Sequence, residues 1–139
     1  MSRSGYIDDM DDQWAHIRWR DAVKAAIRGK RGQAFLREML AAMDALPEKK
    51  LVSSELETEG QVCAIGSVGR VRGIDMQKLD PEDIETVAAT FGISEALARE
   101  IVFENDEAWG VRTDEERFVR MRQWIKRQIR DVDTTGAAQ

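Results

Sequence analysis

The sequence predicts a mainly α-helical protein, a compact bundle of about five to six helices with at most a small β-hairpin or short strand within 48–68. Apolar residues recur every three to four positions along much of the chain, which is the spacing of one helix face. Helix-capping residues precede several of these stretches. Only two prolines occur in 139 residues, which favours long helices over many short strands and turns.

Two helices are expected at the start of the domain, over 12–27 and 33–46. The second carries a broad apolar stripe that is wide enough to be a buried face. The Gly-Lys-Arg-Gly segment at 29–32 separates the two helices, because glycine disfavours a helix interior. Pro47 ends the second helix, because the residue before a proline avoids the helical conformation.

The segment over 48–74 allows two interpretations. A strand at 51–56, a turn at 58–60 and a return strand at 62–68 would form a β-hairpin. Alternatively, the last of these stretches starts a glycine-containing helix with its apolar residues on one side. We favour a short strand followed by a helix, with the hairpin as the alternative.

The second half of the chain carries three helix starts. Asp80 followed by Pro81 combines an N-cap with the residue preferred at the first helical position. This helix should stop at Gly92, which readily adopts a left-handed conformation. Ser94 caps the next helix, and a Thr-Asp-Glu-Glu capping box at 113–116 begins the last one.

These elements predict one domain over 11–131, preceded by a flexible acidic arm at 1–10 and followed by a flexible tail at 132–139. No apolar stretch approaches the roughly 20 residues that span a bilayer, and the first residues lack the apolar core of a signal peptide. The single cysteine, Cys63, cannot form an internal disulfide, which is typical of a reducing compartment. A cytoplasmic protein without membrane contact is expected.

Charge is segregated along the chain. Residues 13–37 contain seven basic residues and one acidic residue, a net charge of +6. Residues 75–107 contain ten acidic and two basic residues, a net charge of −8. Residues 112–130 return to +4, with seven basic and three acidic residues. Such blocks either pair with each other inside the molecule or present surfaces of opposite sign to partners.

Catalytic chemistry is not expected from this sequence. It has one histidine, His16, and one cysteine, and neither has neighbours at the spacing of a metal site. Its carboxylates are numerous, but no pair is set apart by apolar surroundings as general acid–base catalysis requires. Nucleotide-binding loops and nucleophile elbows do not occur. We therefore predict a non-enzymatic protein with no catalytic residue, metal ion or cofactor.

The stretch over 85–101 resembles the turn of a helix-turn-helix motif, with alanine, glycine and a serine cap at the usual spacing. A recognition helix enters a groove lined with phosphates, but the second helix here would be acidic. We therefore expect a packing unit whose acidic outer face binds a partner. The residues predicted on that acidic face are Glu95, Glu100, Glu104, Asp106 and Glu107.

A second candidate surface combines cations with an aromatic ring. The basic first helix and the segment at 29–32 are suited to contact phosphates or an acidic partner. Trp14 and Trp19 are five residues apart and cannot share a helix face, so one of them should be partly exposed. Exposed tryptophan beside arginine is typical of protein-interface hot spots. A solvated face that pairs with the acidic segment is the alternative. The residues predicted on this surface are Trp19, Arg28, Lys30 and Arg31.

Several stretches, which together span most of the chain, carry a family resemblance. They are MSRSGY at 1–6, RGKRGQAFLRE at 28–38 and ENDE at 104–107, with further matches at 18–20, 46–49, 62–66, 72–76 and 98–103. In these stretches the sequence resembles a family of small proteins encoded by tailed phages and prophages. That family has no settled activity, so the resemblance implies a setting, the bacterial host cytoplasm, and no functional residues.

Phage proteins of similar size include inhibitors of host defence, among them anti-CRISPR proteins, and the leading hypothesis follows by analogy. It is a non-enzymatic inhibitor that contacts a host protein or a nucleoprotein defence complex such as a CRISPR surveillance complex. The acidic face would compete for a basic nucleic-acid-binding surface, because aligned carboxylates imitate phosphates. The alternatives are an accessory protein that binds nucleic acid directly through the basic first and last helices, and a structural or assembly factor of the phage particle.

Overall fold

The computed structural model describes residues 3–4, 13–107 and 110–130. In this part of the chain, six α-helices and a two-stranded sheet form a helical bundle, which confirms the predicted fold class. The predicted tail at 132–139 lies outside the described residues. So does the predicted arm at 1–10, except for Arg3 and Ser4, which are both buried.

The helices lie close to the positions that helical periodicity predicts, and they differ from them at their ends. Most of the chain between residues 13 and 128 belongs to them, so the bundle is built almost entirely from helix packing. They are α1 (Gln13–Arg28), α2 (Lys30–Asp44), α3 (Ala64–Arg72), α4 (Ile84–Phe91), α5 (Glu95–Glu107) and α6 (Asp114–Gln128).

The junction between α1 and α2 is a single residue, Gly29. The prediction that 29–32 forms a separate loop is therefore wrong, because α2 already includes its last three residues. Gly32 makes this possible: a Cβ atom at this position would lie 1.9 Å from the carbonyl oxygen of Ala26. The missing side chain lets α2 begin directly against the last turns of α1.

A small antiparallel hairpin precedes α3 and consists of β1 (Glu57–Thr58) and β2 (Gln61–Val62). Its turn residues Glu59 and Gly60 have φ values of 50° and 79°, a left-handed conformation that glycine adopts without steric cost. The hairpin and the helix, which the sequence left as alternatives, both occur. The predicted strand at 51–56 is wrong: the carbonyls of Leu51 and Val52 and the N–H of Ser54 bond to side chains of α5 and α6 instead of a partner strand.

The start of α4 lies later than the sequence predicts. Asp80, the predicted cap, closes a turn instead: its carbonyl accepts from the N–H of Asp83 at 3.0 Å, and its carboxylate accepts from the N–H of Glu82 at 2.9 Å. Asp83 then caps the helix by accepting the N–H of Thr86 at 3.2 Å. The two aspartates therefore have separate roles: Asp80 closes a turn, and Asp83, at the end of that turn, caps α4.

Other predicted helix signals are confirmed. Gly92 ends α4 with a φ of 73°, and the hydroxyl of Ser94 caps α5 by accepting the N–H of Leu97 at 3.1 Å. At the start of α6, Thr113 and Glu116 form the capping box, with reciprocal bonds of 3.1 and 3.0 Å to each other's backbone N–H groups. These local signals fix where the helices of the second half begin and end.

The central element of the bundle is α5, which packs against α1, α3, α4 and α6. Its inward residues Leu97, Ile101 and Val102 are at most 1% exposed. The stretch at 85–101 is therefore part of a packed core. On α2, apolar residues such as Leu36 and Met39 pack towards α3 and α6. In the described part of the chain, no helix is long and apolar enough to cross a membrane.

Candidate functional site

The carboxylates of α5 were expected to form one exposed face, and Glu100 shows why they do not. Its side chain is buried, and both carboxylate oxygens accept hydrogen bonds from Arg20 of α1, at 3.0 and 3.4 Å. Glu95 lies nearer the surface and pairs with Arg99, one turn further along α5, at 3.0 Å. The basic first block and the acidic block thus pair inside the molecule.

Glu104 lies one turn after Glu100 and is also largely enclosed. Burial raises the pKa of Glu104, and the negative charge of Glu100 raises it further, while Arg120, Arg127 and Arg20 oppose this shift. Arg120 approaches Glu104 to 3.5 Å, yet neither Glu104 Oε1 nor Arg120 Nε makes a hydrogen bond within the described chain. The Glu104 carboxylate is therefore incompletely stabilised.

Asp106 has the most complete set of partners. Arg3 forms a bidentate ion pair with its carboxylate: Nη2 donates to Oδ1 at 2.8 Å, and Nε donates to Oδ2. Oδ1 also accepts from the Ser54 N–H at 3.1 Å and from the Asn105 amide at 2.8 Å. Burial alone would raise the pKa of Asp106, but the bond and charge of Arg3, with those of Asn105 and Ser54, hold it below its usual value.

The expected acidic binding face is corrected by these contacts. Glu100, Glu104 and Asp106 are turned inward, where they hold α1, α6 and the segment at Arg3 against α5. Glu107 stays exposed and accepts a hydrogen bond from the hydroxyl of Ser4. The five predicted residues are close in sequence, but their charges are used mainly to join the bundle.

Two of these carboxylates should respond to pH with opposite signs. Because the folded-state pKa of Glu104 is raised, its ionisation destabilises the fold as pH rises above the unfolded-state value of about 4.3. Because the pKa of Asp106 is lowered, its contribution is complete above about 3.9 and is lost as pH falls through the folded-state pKa. We expect Glu104→Gln to be as stable as the wild type or more so at pH 7, and Asp106→Asn to be less stable.

Urea unfolding from pH 3 to pH 7 measures both effects. The difference for Glu104→Gln should shrink as pH falls towards about 4.3, whereas the difference for Asp106→Asn should stay constant down to about pH 3.9 and begin to shrink only below it. A loss of stability in Glu104→Gln that grows between pH 4 and pH 7 would contradict the assignment for Glu104.

At the other end of α5, a buried amide brings three helix ends together. Gln33 of α2 is 5% exposed, and its Nε2 donates to the carbonyls of Ile27 and Gln128, at 2.7 and 3.0 Å. Its Oε1 accepts from the N–H of Arg130 at 2.8 Å. These bonds satisfy carbonyls at the C-terminal ends of α1 and α6, which helices leave without partners, and fix both ends beside the start of α2.

Cations surround this junction. Arg28, Lys30 and Arg31 are exposed at the end of α1 and the start of α2. Arg37 donates to the carbonyl of Arg130 at 2.7 Å, which brings both arginines to the same place. Among the described residues, none of these five cations forms an ion pair with a carboxylate. We call these five residues the basic end: Arg28, Lys30, Arg31, Arg37 and Arg130.

A groove of about 240 Å³ opens beside the basic end, between α1, the first turn of α2 and the start of α5. Lys30 and Arg31 line it together with Ser94. Gly29 precedes α2 without a side chain that would accept its first free N–H groups. The positive end of the α2 dipole here offsets the negative ends of α1 and α6, which lie beside it.

The exposed tryptophan is not the one that was predicted. Trp19 is half-buried, whereas Trp14 at the start of α1 is 70% exposed. Helical spacing could have separated the two, because Trp14 shares a face with Arg18 and Arg28 and lies away from the fully buried Val23. Trp14 therefore joins the candidate residues.

The end of α5 that lies far from the basic end carries carboxylates. A groove of about 370 Å³ there is lined by Arg3, Ser54 and Pro81 together with exposed carboxylates. We call these carboxylates, Glu55, Glu82 and Glu107, the acidic end. The 13 residues of α5 separate the two ends by about 20 Å at a rise of about 1.5 Å per residue.

The described residues hold no cluster of three or more His, Cys, Asp or Glu side chains arranged as they would be around a metal ion. Cys63 is buried, and its Sγ accepts the N–H of Gly66 at 3.3 Å, so that it caps α3.

No protein family, curated protein or solved structure matches the chain.

Proposed function

We propose that this protein is a non-enzymatic binding protein that attaches to nucleic acid through the basic end. The observation that carries the proposal is the convergence of five cations around Gln33, none of them in an ion pair with a carboxylate of the described chain. Cations held together on a surface attract phosphates and release the counterions condensed on nucleic acid, which supplies most of the non-specific affinity.

Nucleic acid fits this site better than a purely protein partner bound through α5. A phosphate mimic needs aligned carboxylates that are free at the surface, and Glu100, Glu104 and Asp106 are occupied by Arg20, Arg120 and Arg3. Four cations of the basic end are exposed, and the fifth, Arg37, is half-buried. The overall net charge of −5 is unevenly placed: Glu55, Glu82 and Glu107 lie at the acidic end, and Glu95, at the start of α5, is paired with Arg99.

The second candidate is contact with a host nucleoprotein complex, such as a CRISPR surveillance complex, in the bacterial cytoplasm. The observation that favours it is the presence of ends of opposite sign on one small bundle. The basic end would face the nucleic acid of such a complex, and the acidic end would face its basic protein surface. This candidate predicts tighter binding to the complex than to its nucleic acid alone.

The test is the salt dependence of binding to a labelled oligonucleotide, followed by fluorescence anisotropy. The logarithm of the association constant should fall linearly with the logarithm of salt concentration, by about 0.7–0.9 per phosphate contacted. Lys30→Gln should weaken binding to all sequences alike and reduce this slope by about 1, because one phosphate contact is lost.

Lys78→Gln is the matched control, because Lys78 is 84% exposed and lies in the acidic run after α3. This substitution should leave affinity and slope unchanged. Binding that does not depend on salt, or an equal effect of both substitutions, would argue against the basic end as the binding site.

A further inference from the structure

We infer that the ligand is single-stranded nucleic acid, which follows the exposed face of α1 from the basic end and stacks a base on Trp14. The inference rests on the proposed function and narrows its ligand class. It starts from Trp14 and Ile17, which are 70% and 42% exposed at the start of a basic helix.

One face of α1 carries the exposed residues in question. At about 100° per residue, they fall within about 120° of arc around the helix axis. Val23, which is fully buried, lies on the opposite side. The exposed face therefore combines one aromatic ring, two aliphatic side chains, three cations and one carboxylate. Its residues are Trp14, Ile17, Arg18, Asp21, Lys24, Ala25 and Arg28.

This face continues into the basic end. Arg28 belongs to both, and Lys30 and Arg31 follow directly after Gly29. From Trp14 to Arg28 the helix rises by about 21 Å, so the whole surface is long enough for a short strand. Charge is uneven along it: the cations crowd towards the basic end, and the large apolar side chains lie at the far end.

A single strand fits this surface, with an aromatic ring at one end and cations towards the other, better than a duplex does. In a duplex the bases are stacked on each other, so an exposed ring such as Trp14 meets only sugars and phosphates. A single strand offers base faces to the ring while its phosphates follow the cations, the arrangement by which proteins hold single strands without sequence preference. Trp14 and Ile17 also lack the paired donors and acceptors that read base edges in a groove.

The experiment compares Trp14→Ala, Trp14→Phe and the wild type on a labelled poly(dT) strand and on a duplex of the same length. Trp14→Ala should weaken single-strand binding by about 5- to 150-fold, the effect of losing one stacked base. Trp14→Phe should retain most of the affinity, because it keeps an aromatic face. The salt slope should not change in either variant, because no charge is lost.

Val119→Ala is the control, since Val119 is 54% exposed on α6 and away from this face; its single-strand affinity should equal that of the wild type. Unchanged single-strand affinity in Trp14→Ala would overturn the inference and leave the proposed function standing, as would equal losses on both ligands. An absence of salt-dependent binding to either ligand by the wild type would overturn the proposed function itself. Thermal unfolding of the wild type and both Trp14 variants checks that each protein is folded at the temperature of the binding measurement.

Discussion

Replacement of Asn105 by leucine should lower the free energy of unfolding by about 2–6 kcal/mol. Asn105 is 1% exposed, and its amide donates to the carbonyl of Val52 at 3.0 Å while its carbonyl accepts the N–H of Ala64 at 3.1 Å. Leucine has a similar volume and fills the space, but it removes the partner of the buried Ala64 N–H and of the part-buried Val52 carbonyl, at about 1–3 kcal/mol each.

The effect should be large because Asn105 joins three parts of the chain. It connects the end of α5 to the irregular segment before the hairpin and to the first turn of α3. Urea unfolding measures the loss, with Gln123→Leu as the control on the exposed side of α6, where the change should stay within about 0.5 kcal/mol. A similarly small change in Asn105→Leu would show that other groups or water satisfy the Val52 carbonyl and the Ala64 N–H when the amide is absent.

Replacement of Gly32 by alanine should destabilise the protein by about 1–3 kcal/mol, although alanine is the better helix former. The new Cβ would lie 1.9 Å from the carbonyl oxygen of Ala26, a backbone atom that moves only if α1 moves. Displacement of α1 would also separate Arg28 from Lys30 and Arg31, so nucleic-acid affinity should fall together with stability.

Gly29→Ala is the matched control, because it places the same methyl group three residues earlier. There the nearest atom, the carbonyl oxygen of Ala25, would be 3.4 Å away, which is an ordinary contact. We expect a loss of at most about 1 kcal/mol, from the poorer N-cap. Equal stability of the two variants in urea unfolding would show that the close approach of α1 and α2 is not required.

Local sequence signals were sufficient for most of the fold. The capping box at Thr113, the stop at Gly92 and the cap at Ser94 depend on neighbouring residues only, and they were predicted correctly. The start of α2 was missed because a glycine in the sequence suggests a helix break. Gly32 is instead required inside α2 by the nearby carbonyl of Ala26, and sequence alone does not show that contact. The start of α4 was missed because Asp80 and Asp83 are both good caps, and only the turn between them decides.

The site was predicted less well, because its contacts are long-range. Arg3 and Asp106 are 103 residues apart, and Arg20 and Glu100 are 80 residues apart, so local composition made the carboxylates look free. Three members of the basic end were predicted from their cluster in sequence. Arg37 and Arg130 were not, because they join it through Gln33 and through each other.

The separation of the basic end from the acidic end along α5 makes the molecule an electric dipole. The field of a polyanion orients such a molecule before the two come into contact. A larger share of diffusional encounters therefore begins with the basic end facing the polyanion. This orientation raises the association rate constant. The increase becomes smaller as salt screens the field, whose range is about 8 Å at physiological ionic strength. We therefore expect the protein, despite its net negative charge, to approach the proposed nucleic-acid ligand with the basic end forward.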